Sequence, residues 1–387
     1  MDANLVPGAS ARERLESSGV PRLALFVTPH GFGHAARSAA VVEALGALVP
    51  GLEVELWTSV PEWLFRESLS VPFRYRYLEC DVGLVQRSPV EEDLPATVAA
   101  LERWWAAVEE LHLGQVAAAL IAERCALVVC DIAPFGLLAA RAAGVPSVLM
   151  ENFTWDWIYE GMVAAEPRLA SWVSRLASRF ALADLHLQLE PICRPVAGAL
   201  AIPPVARSPH QDRDAVRERL GVAPERRLVL VSLGGVAHRL ERLGRLFGRE
   251  DCVFVLPGAA DRESWEGNLR RLPHHSPIHH PDLVAAADLV VGKLGYSTVA
   301  ETVAASTRVL YVPRPGFRES AVLERHVAER LPAQAIAWRE LESGEWVERL
   351  DALLACPRPP ARPASGARRA AEAIAVRLAG AGATSPG

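Results

Sequence analysis

A glycine-rich turn in the second half of the chain carries the residue types that can bind a phosphate group. Leu289–Glu301, LVVGKLGYSTVAE, is typical of a buried strand, a glycine turn and a helix in quick succession. Gly292 and Gly295 allow close backbone approach, and free helix N–H groups point back into the turn, where Lys293 adds a charge. Glu301 can reach back to cap the helix or to bind a ribose diol. The pattern predicts a phosphate site, but an ordinary turn between a strand and a capped helix has the same sequence pattern.

Two other glycine turns follow predicted strands. PHGFGHAARS, 29–38, comes directly after a strand predicted at Leu23–Thr28, so the chain begins like a nucleotide-binding α/β unit. Gly234 and Gly235 follow a strand predicted at Leu228–Val231 and offer another backbone approach to a phosphate. A lone Gly-Gly pair is a weak signal by itself.

Aromatic side chains and histidines are concentrated in two further segments. NFTWDWIYEG, Asn152–Gly161, places Trp155 and Trp157 where a strand end should face a cleft. These rings can stack on a sugar or plug a domain interface, and the plug is the favoured interpretation. Pro273–Asp282 holds four histidines, but its prolines break the spacing that a helical metal site needs, so no metal is expected there.

The bulk properties indicate a globular protein with more than one core. The chain has 387 residues, of which 50% are hydrophobic and 22% charged, and its net charge of -5 gives no general attraction to nucleic acid or anionic lipid. The six cysteines form no C-x-x-C pair, which favours buried thiols in a reducing compartment, with the cytoplasm as the default. No apolar run reaches the ~18 residues of a membrane span, which leaves only peripheral contact with the inner membrane face.

Alternating strand and helix patterns predict an α/β protein made of two Rossmann-like doubly wound domains that face each other across a cleft. Five prolines in Pro191–Pro209 should interrupt any regular element and form the hinge. The expected organisation is a flexible segment (1–20), a first domain (21–195), a second domain (196–355) and a proline-rich tail with a final helix (356–387).

Six stretches together carry a resemblance to GT-B glycosyltransferases. The chain is most similar to the glycosyltransferase-like N-terminal half of L-arabinokinases and to related free-standing bacterial proteins. The shared stretches are HGFGHAAR at His30–Arg37, ECDVGLVQ at Glu79–Gln86, VVCDIAP at Val128–Pro134, NFTWDWIYEG at Asn152–Gly161, GKLGYSTVAE at Gly292–Glu301 and VPRPGFRE at Val312–Glu319. Pro29 departs from the usual glycine before His30, and the kinase half is absent, so kinase activity is not implied.

The resemblance implies a nucleotide-sugar donor in the second domain. The glycine turns would hold its diphosphate, Glu301 its ribose, and the segment around Pro281–Leu283 its base. Basic side chains and a helix N-terminus can stabilise the departing diphosphate without the metal ligands of an Asp-x-Asp motif, which this sequence lacks. No metal and no cofactor are therefore expected. The donor residues implied are Gly33, Gly234, Gly235, Pro281, Leu283, Lys293, Gly295, Tyr296, Ser297, Thr298, Glu301, Arg314 and Arg318.

The resemblance places the acceptor over the first domain. His34 or, failing that, His30 is the candidate base, since an imidazole titrates near neutral pH, although His34 could simply hold its turn. Asp131 and Glu151 end predicted strands and could orient that base or cap a helix instead. The candidate acceptor contacts are Glu151, Trp155 and Trp157. Two roles stay open for Arg37, which could contact a phosphate or form an ion pair at the surface.

The expected function is a metal-independent, histidine-assisted transfer of a sugar from a nucleotide-diphosphate donor, with UDP-sugar favoured, to a hydroxyl of a small molecule or lipid. Two alternatives stay open. One is a nucleotide-sugar-binding or regulatory module without chemistry, and the other is a hydrolysing nucleotide-sugar epimerase, which would need carboxylates around the sugar. Neither nucleic acid nor an integral membrane contact is an expected partner.

Overall fold

Two seven-stranded sheets form the frame of the molecule in a computed structural model that describes residues 21–88, 90–234, 240, 242–362 and 364–382. The strands of the first sheet are all parallel and lie in the order β3-β2-β1-β6-β7-β8-β9. Those of the second lie in the order β12-β13-β11-β10-β14-β15-β16, and only the β12–β13 pair is antiparallel. The predicted pair of doubly wound α/β units is confirmed.

The elements of the first sheet and its covering helices are β1 (Arg22–Val27), α1 (Phe32–Leu48), β2 (Glu53–Thr58), α2 (Glu62–Ser68), β3 (Phe73–Tyr77), the hairpin strands β4 (Gln86–Ser88) and β5 (Glu91–Glu92), α3 (Leu94–Trp104), a π-helical turn (Trp105–Glu109), α4 (Glu110–Ala122), β6 (Leu127–Asp131), α5 (Pro134–Ala143), β7 (Ser147–Glu151), α6 (Trp155–Glu160), α7 (Leu169–Phe180), β8 (Leu185–Leu189) and β9 (Leu200–Ile202).

The second half contains α8 (Arg213–Arg219), β10 (Arg227–Ser232), α9 (Gly244–Phe247), β11 (Cys252–Pro257), β12 (Ser264–Glu266), β13 (Leu269–Leu272), α10 (His280–Ala286), β14 (Leu289–Lys293), α11 (Tyr296–Ala305), β15 (Arg308–Val312), α12 (Arg318–Ala328), β16 (Ala333–Ala335), α13 (Trp338–Ser343), a 3₁₀ turn (Glu345–Arg349), α14 (Leu350–Ala355) and α15 (Gly366–Gly382).

The strand order places one crevice in each sheet. In the first sheet the chain moves outward from β1 in one direction through β2 and β3, and in the other through β6 to β9, so the crevice opens between β1 and β6. In the second sheet the same reversal occurs between β10 and β14. Ligands of doubly wound sheets bind at the carboxyl ends of the strands at such a reversal. The residues following β1 and ending β6, β10 and β14 are thus positioned for a site.

The central strands are buried on both faces, as their sequences predicted. Every residue of β6, β7 and β15 is buried, because helices cover each side of a parallel sheet. The last helix, α15, does not stay with the second sheet. Its buried residues Ala370, Ile374 and Leu378 join the core beneath α1, so the chain returns to the first sheet at its end.

Several expected boundaries differ from the structure. The proline-rich segment 191–209 contains β9, which pairs with β8, so the expectation that no regular element forms there is wrong. The segment before α3 contains the β4–β5 hairpin, and the π-helical turn separates α3 from α4. The predicted flexible segment 1–20 lies outside the described residues. No helix in the described ranges is long and apolar enough to cross a membrane.

Candidate active site

A cavity lies where the carboxyl ends of the two sheets face each other. The turn between β1 and α1 and the helix α2 line one side, and the ends of β10 and β14 with the start of α11 line the other. Many of the side chains that line it are polar or charged. They are His30, His34, Glu67, Gln86, Arg207, Ser232, His274, Ser276, His280, Lys293, Ser297, Thr298, Glu301, Arg314 and Glu319.

A histidine and a buried carboxylate form a pair on the first side. His34 lies in the first turn of α1 and its Nδ1 is 3.1 Å from Oδ1 of Asp131, which ends β6. Because the Asp131 carboxylate accepts a hydrogen bond from the Nδ1–H group, Nε2 of the neutral His34 ring carries a lone pair. The structure therefore brings His34 and Asp131 together and leaves the other carboxylate suggested for this role, Glu151, elsewhere.

Asp131 is held charged by a cluster of donors. Arg37 donates to both carboxylate oxygens at 2.7 and 2.6 Å, and Ser38 donates at 2.7 Å. Burial by itself would raise the pKa of Asp131, but the Arg37 guanidinium and the hydrogen bonds from Arg37 and His34 lower it to about 2. Arg37 is fully buried in this ion pair, which is neither the phosphate contact nor the surface pairing considered from sequence.

The same cluster reaches across to the second sheet's domain. Arg37 donates to Oδ1 of Asn152 at 2.5 Å, and the amide of Asn152 donates to Oε1 of Glu319 in α12 at 2.6 Å. The Arg37 guanidinium also lies 4.8 Å from the ring centroid of Tyr296, the first residue of α11. Side chains of the second half thus hold the His34–Asp131 pair in place.

The two predicted glycine turns meet directly. The hydroxyl of Ser297 donates to the carbonyl of Gly33 at 2.7 Å, and a methyl group on Gly33 would approach Ser297 Oγ to 3.4 Å. Gly295 is the N-cap residue of α11, and no side-chain cap occupies that helix end. The free N–H groups at this end and the dipole of α11 favour an anion beside Thr298, which lines the cavity.

Two basic side chains face the start of α11. Lys293, at the end of β14, makes no hydrogen bond or ion pair with any described residue, and burial together with the Arg314 charge lowers its pKa to about 8. Arg314 donates to Glu92 at 2.5 Å, but its buried Nε has no partner within the described part of the chain. Lys293 therefore brings poorly compensated positive charge to the cavity wall.

Glu301 lies deeper in the same wall and already has two partners. Arg207 donates to it at 3.1 Å and His280 Nδ1 is 3.0 Å away. Burial opposes ionisation, but the Arg207 charge and the His280 hydrogen bond lower the pKa of Glu301 to about 2. The other nitrogen of His280 is 3.2 Å from the hydroxyl of Ser232 at the end of β10. A charged acceptor and a hydroxyl thus line the region expected to hold a ribose.

The histidines of the segment Pro273–Asp282 do not form one cluster, and each contacts different neighbours. His279 is stacked on His210 at a centroid distance of 4.1 Å, and burial lowers its pKa to about 3. His275 stacks on Trp63 and pairs with Glu67 at the cavity mouth. Among residues described by the structure, no group of three or more His, Cys, Asp or Glu side chains is arranged to hold a metal ion.

Some residues named from sequence lie outside the cavity wall. Trp155 and Trp157 are buried, and the Trp155 indole donates to Asp81 at 2.9 Å, so both pack as a plug. Three other candidate site residues, Glu151, Arg318 and Pro281, also lie outside the wall. Glu151 accepts from His186 and Gln188, Arg318 donates to the Trp157 carbonyl and to Glu160, and Pro281 is buried in the first turn of α10. Gly235 lies outside the described residues, whereas Gly234 and Leu283 line the wall.

Sequence reasoning missed Arg207, Ser232, His280 and Glu319 as cavity residues. Arg207 lies in the proline-rich segment that was interpreted only as a hinge. His280 belongs to the histidine-rich segment, whose pattern was considered only for metal binding. Its position one residue before Pro281 is typical of the start of a helix. Glu319 was visible as the end of VPRPGFRE, which supplied only its arginines to the predicted site.

No protein-family profile matches the chain. L-arabinokinase of Arabidopsis thaliana is 29% identical over 337 residues, which cover 85% of this chain and 32% of that protein. An uncharacterized glycosyltransferase of Methanopyrus kandleri is 26% identical over 274 residues, covering 66% and 76% of the two chains. The chain thus spans about a third of the arabinokinase it matches.

Solved structures show the same architecture. A UDP-glucosyltransferase from Polygonum tinctorium, which glucosylates indoxyl, superposes with a TM-score of 0.58 at 13% identity over 94% of this chain and 99% of that one. Fold, crevice and likenesses together support a GT-B glycosyltransferase-like protein. In sequence the chain is similar to the arabinokinase of Arabidopsis over 85% of its length and to the uncharacterized glycosyltransferase of Methanopyrus over 66%.

Proposed function

We propose that this protein transfers a sugar from a nucleoside-diphosphate sugar to an acceptor hydroxyl. The observation that carries the proposal is the convergence of a His34–Asp131 pair and Lys293, which has no partner among the described residues, on one cavity between two Rossmann-like domains. A base on one wall and a cationic site on the other are what a displacement at a sugar carbon requires. The M. kandleri relative, itself a glycosyltransferase, supports the same reaction class.

In the proposed reaction Nε2 of His34 takes the proton of the acceptor hydroxyl. The acceptor oxygen forms a bond to the anomeric carbon, and the bond from that carbon to the diphosphate oxygen breaks, with the electron pair leaving on the diphosphate. Asp131 stabilises the imidazolium that forms and keeps the ring oriented. A direct displacement of this kind inverts the anomeric centre, and the proton leaves His34 for solvent after product release.

On the donor side Lys293, Arg314 and the N-terminus of α11 stabilise the charge of the departing diphosphate. These groups supply fixed positive charge, so the proposed reaction needs no divalent metal and no cofactor. Glu301 accepts from the ribose hydroxyls beside Leu283. We favour uridine as the nucleoside because the structural neighbour uses a UDP-sugar.

The acceptor enters from the first domain, beside His34 and Phe153, which line that side of the cavity. A hydroxyl on a small molecule or a lipid fits the proposal. All six cysteines are free in the structure, which supports a reducing compartment such as the cytoplasm as the place of reaction.

The test starts with thermal shifts of the purified protein in UDP, dTDP, GDP and ADP and their sugars, because a ligand at 100 times its Kd adds about 2.7 kcal/mol of stability. The donor found in this way is then given to wild type, His34→Ala and His112→Ala, the last a control for an exposed histidine on α4. We expect His34→Ala to keep the nucleotide shift and lose turnover at least a hundredfold, while His112→Ala behaves as wild type.

Two results would contradict this proposal. Binding without turnover in wild type, over a broad acceptor panel, would assign a nucleotide-sugar-binding module. Release of free sugar or epimerised sugar in the absence of any acceptor would assign the hydrolysing epimerase. Unchanged turnover in His34→Ala would leave transfer intact and remove His34 as the base.

A further inference from the structure

The cavity contains a second histidine whose role the proposed reaction does not use. His30 follows β1 and lines the cavity beside His34. The backbone N–H of Leu84 points at its Nδ1 at 3.4 Å, from the loop between β3 and β4. A backbone N–H can only donate, so Nδ1 of His30 must accept, and the proton of the neutral ring lies on Nε2.

The surroundings of His30 fix the ring in this orientation. Its edge packs against Trp155 with centroids 4.9 Å apart, and Trp155 is itself anchored by Asp81. Gly83 has a φ of +62°, and a methyl group there would come within 2.7 Å of the His30 Nδ1. The tight contact with the 83–84 backbone therefore depends on glycine, and only a ring with an unprotonated Nδ1 fits it.

Nε2 of His30 has no hydrogen-bond partner among the described residues. It is also not among their solvent-inaccessible polar atoms that lack a partner, so it is accessible from the cavity. The side chains whose positive charge acts on this ring are Arg314, Lys293 and, when it is protonated, His34. Burial and these positive neighbours lower the pKa of His30 well below its usual value, which keeps the ring neutral. His30 and His34 thus present opposite hydrogen-bonding groups to one cavity: an N–H donor and a lone pair.

We propose that His30 is held as the Nε2–H tautomer and donates a hydrogen bond to an oxygen of the departing diphosphate, alongside Lys293. This inference rests on the proposed function, and it makes His30 a catalytic residue of a different kind from His34. The sequence left His30 as a substitute base. In the structure the neutral ring has a proton where a base would need a lone pair.

Two substitutions of the same residue separate these roles. The amide nitrogen of Gln reaches the position of Nε2, so His30→Gln retains a donor, whereas His30→Leu keeps the volume and removes it. A donor aimed at developing charge contributes roughly 10²-fold or more to kcat. We expect His30→Leu to lose about that factor in kcat and about tenfold or more in affinity for the free nucleoside diphosphate, with His30→Gln recovering most of both.

The pH profile distinguishes a donor from a base. The acidic limb of kcat/KM should stay in place in His30→Gln, because it belongs to His34. An acidic limb that disappears in His30→Gln, with activity as low as in His30→Leu, would overturn the proposal, as would a His30→Leu enzyme with kcat and nucleotide affinity within twofold of wild type. An effect confined to the KM of the acceptor would also contradict it.

A readout independent of turnover keeps this test separate from the proposed function. Long-range ¹⁵N–¹H correlation spectra of selectively labelled histidine, assigned with His30→Gln, report which ring nitrogen carries the proton. We expect a neutral Nε2–H signal for His30 across neutral pH in the free protein. A proton on Nδ1, or a ring that is cationic at neutral pH, would refute the tautomer even if transfer activity were demonstrated.

Discussion

At the scale of single residues, the site contains groups whose pKa values are shifted from their usual values, and the direction of each shift favours sugar transfer. Asp131 is buried yet charged, because Arg37 and Ser38 donate to it. Lys293 is half-buried without a partner among the described residues, so its charge is poorly compensated until an anion binds. Such displaced titrations are common at functional sites.

His34 determines the expected pH dependence of transfer. Burial and the Arg37 charge lower the pKa of His34 below 6.5, against the opposing hydrogen bond to Asp131. The neutral ring accepts a proton and the cationic ring does not, so kcat/KM should be constant near neutrality and decline as pH falls through a value below 6.5. Initial rates at saturating donor from pH 4.5 to 8 test this. A limb above 7 would contradict it.

Lys293 is expected to lower stability in exchange for binding. A lysine with a pKa lowered to about 8 in the folded protein binds its proton less well there than in the unfolded chain, so at pH 7 it disfavours folding. Replacing it by Met should raise the free energy of unfolding by about 1–3 kcal/mol and reduce nucleoside-diphosphate affinity about tenfold or more. Urea unfolding and calorimetric titration measure the two effects. Lower stability together with unchanged affinity would contradict this role.

At the scale of elements, the close contact of α5 with the first sheet depends on one glycine. A methyl group on Gly136 would approach the Phe26 ring to 2.5 Å and Cys130 Sγ to 2.6 Å. We expect Gly136→Ala to destabilise the protein by about 1–3 kcal/mol through overpacking. Gly114→Ala on α4, where nothing lies within 4 Å, is the matched control and should stabilise by about 0.5–1 kcal/mol. Equal effects of the two changes in urea unfolding would disprove the contact.

Elements such as β6 and β14 were predictable from sequence because strands covered on both faces are continuous apolar runs. The pairing of the two glycine turns was not, since nothing local in 29–38 indicates that Ser297 lies beside Gly33. The same holds for His34 and Asp131. Both were candidates, but their 3.1 Å contact depends on β1 and β6 being neighbours, which is a property of sheet order and not of either segment.

Short and polar pieces were the least predictable. β9 has three residues in a segment rich in proline, so its local pattern indicates a loop, and only pairing with β8 makes it a strand. Arg207 likewise has no motif around it. Its role depends on the path of the segment past Glu301, which the long-range packing of the two sheets determines.

At the scale of the whole molecule, the return of α15 to the first sheet should contribute to the stability of both halves. Ile374 is 1% exposed beneath α1, whereas Val376 on the same helix is 70% exposed. We expect Ile374→Ala to cost about 2–5 kcal/mol and Val376→Ala to change stability by less than about 0.5 kcal/mol. Chemical unfolding of both variants provides the comparison, and a tolerated Ile374→Ala would show that α15 is not part of this core.

The return of α15 also means that the second domain is connected to the first by two segments of chain, one after β9 and one before α15. These segments touch, because Gly366 lies against the carbonyls of Pro203 and Pro204 so closely that a methyl group would not fit. We expect two adjacent attachments to restrict twisting between the domains more than opening about the line through them. Such a restriction would keep His34 and Lys293 in one alignment.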